Sequence, residues 1–250
     1  MGIVFSLGLI LSIRLLDTRI RTEEDLFTVC DSFILGTIQS FKKVKKGIIL
    51  ITKMDHASAI AETFRTIRTS MHYLRQDEDQ KLFLICSAAP GEGKTTVVSN
   101  LSIITALDGK RVLLIDGDLR NPHLHHVFEI PNRVGLSSIL TGHSTLGNAV
   151  RETQIPGLFI LPAGPLQPHP AELFGTMRMD ELCQNLKTQF DCVFIDSPSL
   201  LSVTDARIIK KNMDGIIITI RLNSTKKDHI KKNLTTAGYF KKQNFRHYCK

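Results

Sequence analysis

Cys86-Ser-Ala-Ala-Pro-Gly-Glu-Gly-Lys-Thr-Thr96, CSAAPGEGKTT, directly follows the apolar run LFLI at 82–85. A short, continuously apolar run bounded by turn residues reads as a buried strand, and TTVVSNLSIITAL at 95–107 reads as a helix. Strand, glycine-rich loop and helix in that order form the arrangement that cradles a phosphate. Gly91 and Gly93 let backbone N–H groups turn inward around phosphate oxygens, and the helix N-terminus adds its positive end. Lys94 can reach the terminal phosphates of a nucleotide, and the Thr95 hydroxyl can ligate Mg2+. Ala88 stands where such loops usually carry their first glycine, a place that a small residue can fill.

Working outward, VLLID (112–116), LFIL (158–161), CVFID (192–196) and GIIITI (215–220) repeat the short apolar pattern. Helical stretches separate them, and Gly109 sits where the helix from 95 needs a C-cap. Alternation of apolar strands with helices predicts an α/β fold, a parallel P-loop NTPase-like sheet with helices on both faces. Ahead of it, a helix is expected over about 58–74 and a short one after Thr22, which is placed to cap the acidic turn of RTEEDL.

Three acids end strands of this sheet. Asp116 and Asp118 close VLLIDGDLR, and Asp196 closes CVFIDSPS. In an extended strand end, residues two apart project to the same side. Ligands of open α/β sheets sit beyond the carboxyl ends of the strands. Asp116, Asp118 and Asp196 are therefore expected to converge on the phosphate loop. A single acid at a strand end is commonly only a cap for the next helix; three beside a GKT loop are harder to explain that way.

The chain has 250 residues and a formal charge of +8, enough for one well-buried domain with an appendage. The positive charge gathers in FKKVKK at 41–46 and beyond Thr225, a pattern suited to solvent or to anionic lipid. No nucleic-acid module accompanies it, so nucleic acid is not an expected partner. The five cysteines show no CxxC and read as free thiols. His123, His125 and His126 in HLHH match no common zinc spacing and read as surface or packing residues. MGIVFSLGLILSI at 1–13 is uncharged and is followed by Arg14, Arg19 and Arg21. It is shorter than the roughly 20 residues of a full span. With arginines on its C-terminal side it reads as the end of a transmembrane helix, with the following chain in the cytoplasm and the natural N-terminus further upstream. The expected organisation is a partial transmembrane helix (1–16), a juxtamembrane linker (17–57), a P-loop domain (58–225) and a basic tail (226–250).

Together these motifs resemble those of the bacterial tyrosine kinases of capsule and exopolysaccharide export (BY-kinases), in their fused, Gram-negative-type form. That family carries PGEGK[ST], then three apolar residues with DxDxR, then three apolar residues with DxxP. Here these are Pro90–Thr95, Leu113–Arg120 and Val193–Ser199, with Ser199 where a second proline is frequent. ETFRTIR at 62–68, PAGPLQPHPAELF at 162–174 and SVTDAR at 202–207 are also similar, so the likeness covers roughly residues 9–225. It implies an ATP-dependent protein-tyrosine kinase of the inner membrane, with its catalytic domain in the cytoplasm. Pro90, Gly91, Glu92, Gly93, Lys94, Thr95 and Thr96 would bind the nucleotide. Thr95, Asp196 and Asp116 would hold Mg2+, and Asp116 or Asp118 would act on the acceptor hydroxyl. Glu62 of one subunit would pair with Arg65 and Arg68 of its neighbour in a ring-like homo-oligomer. The polysaccharide polymerisation and export machinery and a cognate tyrosine phosphatase are the implied partners.

Two other readings share these features. A deviant-Walker switch ATPase has the same fold but carries a lysine early in its loop, where Ala89 stands here. A membrane-anchored assembly module with a weak or idle ATP site gains some weight from the C-terminus. There TKKDHIKKNLTTAGY runs into FKKQNFRHYCK without the further strand and tyrosine-rich tail usual in the family. The chain thus reads as shortened at both ends. Tyr239 and Tyr248 are the phosphoacceptor candidates in that tail, and Tyr73 is the only other tyrosine.

Overall fold

Residues 82–87 are apolar on both sides because both faces of their strand are covered. In the computed structural model, which describes residues 18–29, 33–39, 50–53, 58–199 and 205–231, β1 (Leu82–Ser87) is buried throughout. It lies in one sheet with β2 (Val112–Asp116), β3 (Arg151–Glu152), β4 (Leu158–Leu161), β5 (Cys192–Asp196) and β6 (Gly215–Thr219). Among the described residues the order is β3-β4-β2-β5-β1-β6. Every pairing is parallel except that of β3, which runs antiparallel to β4. The five expected strands all form. The two-residue β3 was not expected, being too short to show a period.

Alternate residues of each strand feed two cores, as the twofold period of a strand requires. Phe83, Ile85, Leu114, Ile160 and Phe194 point to one face. There α2 (Ala59–Leu74) and α3 (Lys94–Leu107) bring Phe64, Ile67, Leu101 and Ile104 against them. Leu84, Leu113, Ile115, Val193 and Ile195 point to the other. That face is covered chiefly by α5 (Leu136–Leu140), α7 (Pro170–Phe174), α8 (Met177–Gln189) and α9 (Asp205–Ile209). The short α4 (Leu124–Val127) and α6 (Leu146–Ala149) complete the connections. Ser58 caps α2 by accepting from the Ala61 N–H, and Gly109 turns the chain after α3 with φ +81°.

Part of the expected linker packs onto the domain. Thr22 caps α1 (Glu23–Phe27) in a reciprocal capping box with Asp25. Just before it, Arg19 forms an antiparallel bridge with Lys226. The Ile20 N–H donates to the Thr225 carbonyl (2.9 Å), and the Asn223 N–H donates to the Ile20 carbonyl (2.7 Å). Ile20 is fully buried with Ala88 and Ile230, so packed chain continues past Thr225, where the tail was expected to begin. The expected span at 1–16, the basic run at 41–46, Tyr239 and Tyr248 lie outside the described residues. No helix among the described residues is long and apolar enough to cross a membrane.

The loop from β4 is threaded tightly against α5. Leu136 and Ser137 N–H groups donate to the Pro162 and Ala163 carbonyls, both at 2.8 Å, and Asn132 exchanges two hydrogen bonds with Gly164. A Cβ at Gly135 would lie 2.2 Å from the Pro162 oxygen and 2.4 Å from the Gly164 nitrogen. Because those contacts are backbone, no side chain can yield. Gly135→Ala is expected to destabilise the fold by about 2 kcal/mol or more, read as a lowered urea midpoint at unchanged slope.

Candidate active site

The parallel sheet brings three strand ends to one edge. β5 lies between β1 and β2, and Asp116 and Asp196 are register partners across the β2–β5 pair. Gly117 continues that contact: its N–H donates to the Asp196 carbonyl at 2.8 Å, and a Cβ there would meet the same oxygen at 2.9 Å.

The phosphate loop occupies the turn from β1 to α3. Gly91 and Gly93 take φ of +80° and +88°, the left-handed region that glycine enters without steric cost. The helix begins at Lys94, and its first backbone bond is from the Val97 N–H to the Gly93 carbonyl. The amides of residues 94–96 therefore have no carbonyl one turn back, which makes this end of α3 an anion site. Ala88 is fully buried against Ile20, so a small residue serves at that position.

Lys94 reaches over the loop into the acidic edge. Its Nζ lies 3.9 Å from Asp118 Oδ2 and 3.8 Å from Asp196 Oδ1. The Thr95 hydroxyl donates to Asp196 Oδ2 at 2.6 Å. Asp196 is buried, and its Oδ1 has no hydrogen-bond partner. Burial pushes the Asp196 carboxyl up to about 6, against the opposing pull of Lys94 and the Thr95 bond. A buried carboxylate oxygen without a donor, beside a threonine hydroxyl, fits a hard oxygen-seeking cation such as Mg2+. Among the described residues no cluster of three or more His, Cys, Asp or Glu side chains is available to a metal. A Mg2+ held by one carboxylate, a hydroxyl, substrate phosphates and water needs no such cluster.

Asp116 and Asp118 have different surroundings. Asp118 contacts Lys94, whereas Asp116 is buried at the end of β2 and held by backbone donors. Asp116 Oδ2 accepts from the His123 and Leu124 N–H groups at 3.0 and 2.9 Å, and Oδ1 accepts a longer bond from the Asp118 N–H at 3.3 Å. It thereby shapes the loop from β2 to α4. Burial, and then the neighbouring Asp196 charge, raise its carboxyl to about 7 despite those donors. The HLHH segment thus meets the site through backbone amides. Arg120, whose charge also acts on Asp118, grips the fully buried Asp205 of α9 with two bonds, of 2.8 and 3.1 Å. Its motif position gave no hint of that partner.

The other expected residues lie elsewhere. Glu62 pairs with Arg65 within α2, and Arg68 bonds the Ile104 carbonyl (3.2 Å) and Asp108 (3.1 Å). A tie that composition did not reveal holds the phosphate loop itself. Glu92 is buried, its Oε2 accepts from the Ala89 N–H at 2.9 Å, and its Oε1 accepts from the Thr225 hydroxyl.

A phosphate loop, a lysine and strand-end carboxylates at the carboxyl edge of a parallel sheet define a P-loop nucleotide-site domain. The AAA domain family matches residues 80–247. The chain is 38% identical over 190 residues to the tyrosine-protein kinase YwqD of Bacillus subtilis, covering 76% of this chain and 79% of that protein. It is 32% identical over 184 residues to the putative tyrosine-protein kinase CapB of Staphylococcus aureus, covering 72% and 81%. The crystal structure of the chimerical protein CapA2B2 superposes with a TM-score of 0.79 at 34% identity, over 86% of this chain and 92% of that one. The chain belongs to the bacterial tyrosine-protein kinases.

The raised carboxyls make stability depend on pH in a stated direction. With Asp116 near 7 and Asp196 near 6, against an ordinary 3.8, the folded chain holds protons that the unfolded chain has released. Stability therefore falls as pH rises from about 4 to about 7 and levels off above. In EDTA the loss across that window is expected to be on the order of several kcal/mol, since each pKa unit counts for about 1.4 kcal/mol. Asp116→Asn should flatten the profile in urea titrations at pH 5 and pH 8; an unchanged difference would exclude Asp116 as its source.

Proposed function

We propose that this chain transfers the γ-phosphoryl group of ATP to tyrosine hydroxyls, with Pro90–Thr96 as the nucleotide loop. The observation that carries the reading is Lys94, poised over that loop between Asp118 and Asp196. Bound phosphate would take the ammonium from those carboxylates, and the α3 amides would take the remaining oxygens. Thr95 and Asp196 would hold Mg2+, which supplies positive charge to the phosphates when bound. Asp116 stands outside that set in this reading, because its Oδ2 is already taken by the His123 and Leu124 N–H groups.

We assign proton acceptance to Asp116. Its carboxyl near 7 suits a group that must take a proton at neutral pH, and the two N–H bonds on Oδ2 fix its plane while Oδ1 keeps one long bond. The tyrosine proton passes to this carboxylate as the phenolic oxygen bonds the γ-phosphorus. The bond from that phosphorus to the β–γ bridging oxygen breaks, and ADP leaves. Asp118 places the Lys94 ammonium. The motif resemblance supports a role in capsule or exopolysaccharide synthesis and export, with the apolar run at 1–13 as the inner-membrane attachment.

Lys94→Ala is expected to lower phosphotyrosine formation from labelled ATP by at least about 10²-fold. Asp116→Asn should lose transfer by a comparable factor while retaining Mg-ADP binding. Release of labelled phosphate to water with no phosphotyrosine would instead identify a switch ATPase, and absence of nucleotide binding would identify an idle assembly module.

We also propose that α2 mediates self-association. Glu62 is exposed, and Arg65, Arg68, Ile104, Leu107 and Asp108 line a surface hollow of about 360 Å3 beside it. Leu107 is 47% exposed there, an apolar contact next to two arginines that a neighbour's Glu62 could reach. Glu62→Ala and Arg65→Ala should each disperse the assembly, seen as a lower mass by light scattering after gel filtration; an unchanged mass would refute this use of α2.

A further inference from the structure

We propose that Thr225 is a positioning residue for the phosphate loop, acting through Glu92. The proposal rests on the nucleotide reading of that loop and assigns a function to a residue outside every motif that suggested it. Glu92 lies between the two left-handed glycines of the loop, where a side chain would ordinarily face solvent. Instead it folds back and is buried. One carboxylate oxygen accepts from the Ala89 N–H at 2.9 Å, closing the loop on itself. The other accepts from the hydroxyl of Thr225, 133 residues away in the chain.

Thr225 is held from every side. It is 1% exposed, and its hydroxyl oxygen also accepts from the Arg221 N–H at 3.0 Å. Its own N–H donates to the Arg221 carbonyl (3.0 Å), and its carbonyl accepts from the Ile20 N–H (2.9 Å). Below it, Ile20, Ala88 and Ile230 form a small buried cluster with Ile218, Ile220 and Leu222 around it. The hydroxyl therefore approaches the loop from a rigid turn. A bond to a charged acceptor in such a setting is stronger than one between neutral groups. Gly91 and Gly93 leave the loop backbone many alternatives, and the Glu92 clamp removes them. Without the clamp, the loop must be ordered by the nucleotide itself, and binding weakens by that ordering cost. The two bonds of Glu92 go to the Ala89 amide and the Thr225 hydroxyl and none goes to Lys94, so Thr225 acts on where the loop backbone stands and not on the reacting atoms.

The experiment uses the full chain with Mg-ADP titrated by calorimetry, and ATP kinetics on the same samples. Thr225→Val keeps the shape and removes the hydroxyl; it is expected to weaken Mg-ADP about tenfold and to raise the KM for ATP likewise, with kcat nearly unchanged. Thr225→Ser should restore affinity to within about threefold, since the hydroxyl returns. In a Glu92→Ala background, Thr225→Val should cost nothing further, because its route to the loop is gone. Affinity of Thr225→Val equal to that of the unaltered protein overturns the proposal, and so does a full second loss in the Glu92→Ala background. Unaltered protein that fails to bind Mg-ADP overturns the nucleotide reading, and this proposal with it. Should Thr225→Val fail to fold, Glu92→Ala and Thr225→Ser decide the matter: the first must bind about tenfold more weakly and the second nearly normally, and equal binding by Glu92→Ala refutes the clamp.

Discussion

One ammonium group faces the carboxylates of two different strands, and the arrangement of the chain follows from that requirement. Asp196 ends β5 in register with Asp116 at the end of β2, so two buried acids stand side by side. Buried carboxylates repel and are costly to ionise unless donors or cations surround them. Here each receives a different remedy. Asp196 has Lys94 and the Thr95 hydroxyl, both from the first turn of α3. Asp116 has backbone amides supplied by the turn into α4. Only a parallel sheet with β5 beside both β1 and β2 puts the helix start and both acids on one edge.

The glycines serve this edge in two ways. At 91 and 93 they supply left-handed backbone, which turns the loop and leads into α3. At 117 the reason is proximity: the strand ends must approach until the Gly117 N–H bonds the Asp196 carbonyl, and a side chain would occupy that space. Conformational freedom at the first pair then needs a restraint, and none is available from secondary structure. Glu92 provides one by spending a charged side chain on the loop's own backbone. The restraint is completed by a segment distant in sequence, which in turn is pinned by residues 18–20.

Much of this was legible in the sequence. Continuous apolar runs marked all five parallel strands because both faces of the sheet are covered, and CSAAPGEGKTT marked the loop because its spacing is dictated by phosphate geometry. Convergence of the three aspartates followed from placing each at a strand's carboxyl end. What sequence could not reveal depends on strand order and on which partner a side chain selects. Asp116 and Asp118 looked equivalent at alternate positions, yet the chain leaves the strand between them, so one is held by the amides of the turn into α4 and the other contacts Lys94. Arg120 closes the second motif, and its guanidinium ties the β2 loop to Asp205. SVTDAR offered that acid, but nothing in its spacing named the arginine 85 residues earlier. Thr225 carried no signal at all, since a lone threonine after a strand is ordinary.

The charge balance of the edge bears on what it can bind. Lys94 contacts Asp118 and Asp196, and Arg120, which also acts on Asp118, is bound to Asp205, so little positive charge at this edge is left for phosphates. Nucleotide phosphates would add more negative charge, while drawing Lys94 away from Asp118 and Asp196. Burial prevents water from absorbing the difference at Asp196, whose Oδ1 has no donor. Some positive charge must therefore arrive with the nucleotide, or protons must be taken up. The raised carboxyls of Asp116 and Asp196 record the second route in the chain alone, and the Thr95–Asp196 pair is built for the first. Nucleotide affinity should consequently depend on a divalent cation more steeply at pH 8 than at pH 6. At the lower pH protonated carboxyls already relieve part of the repulsion, and at the higher pH only the cation can.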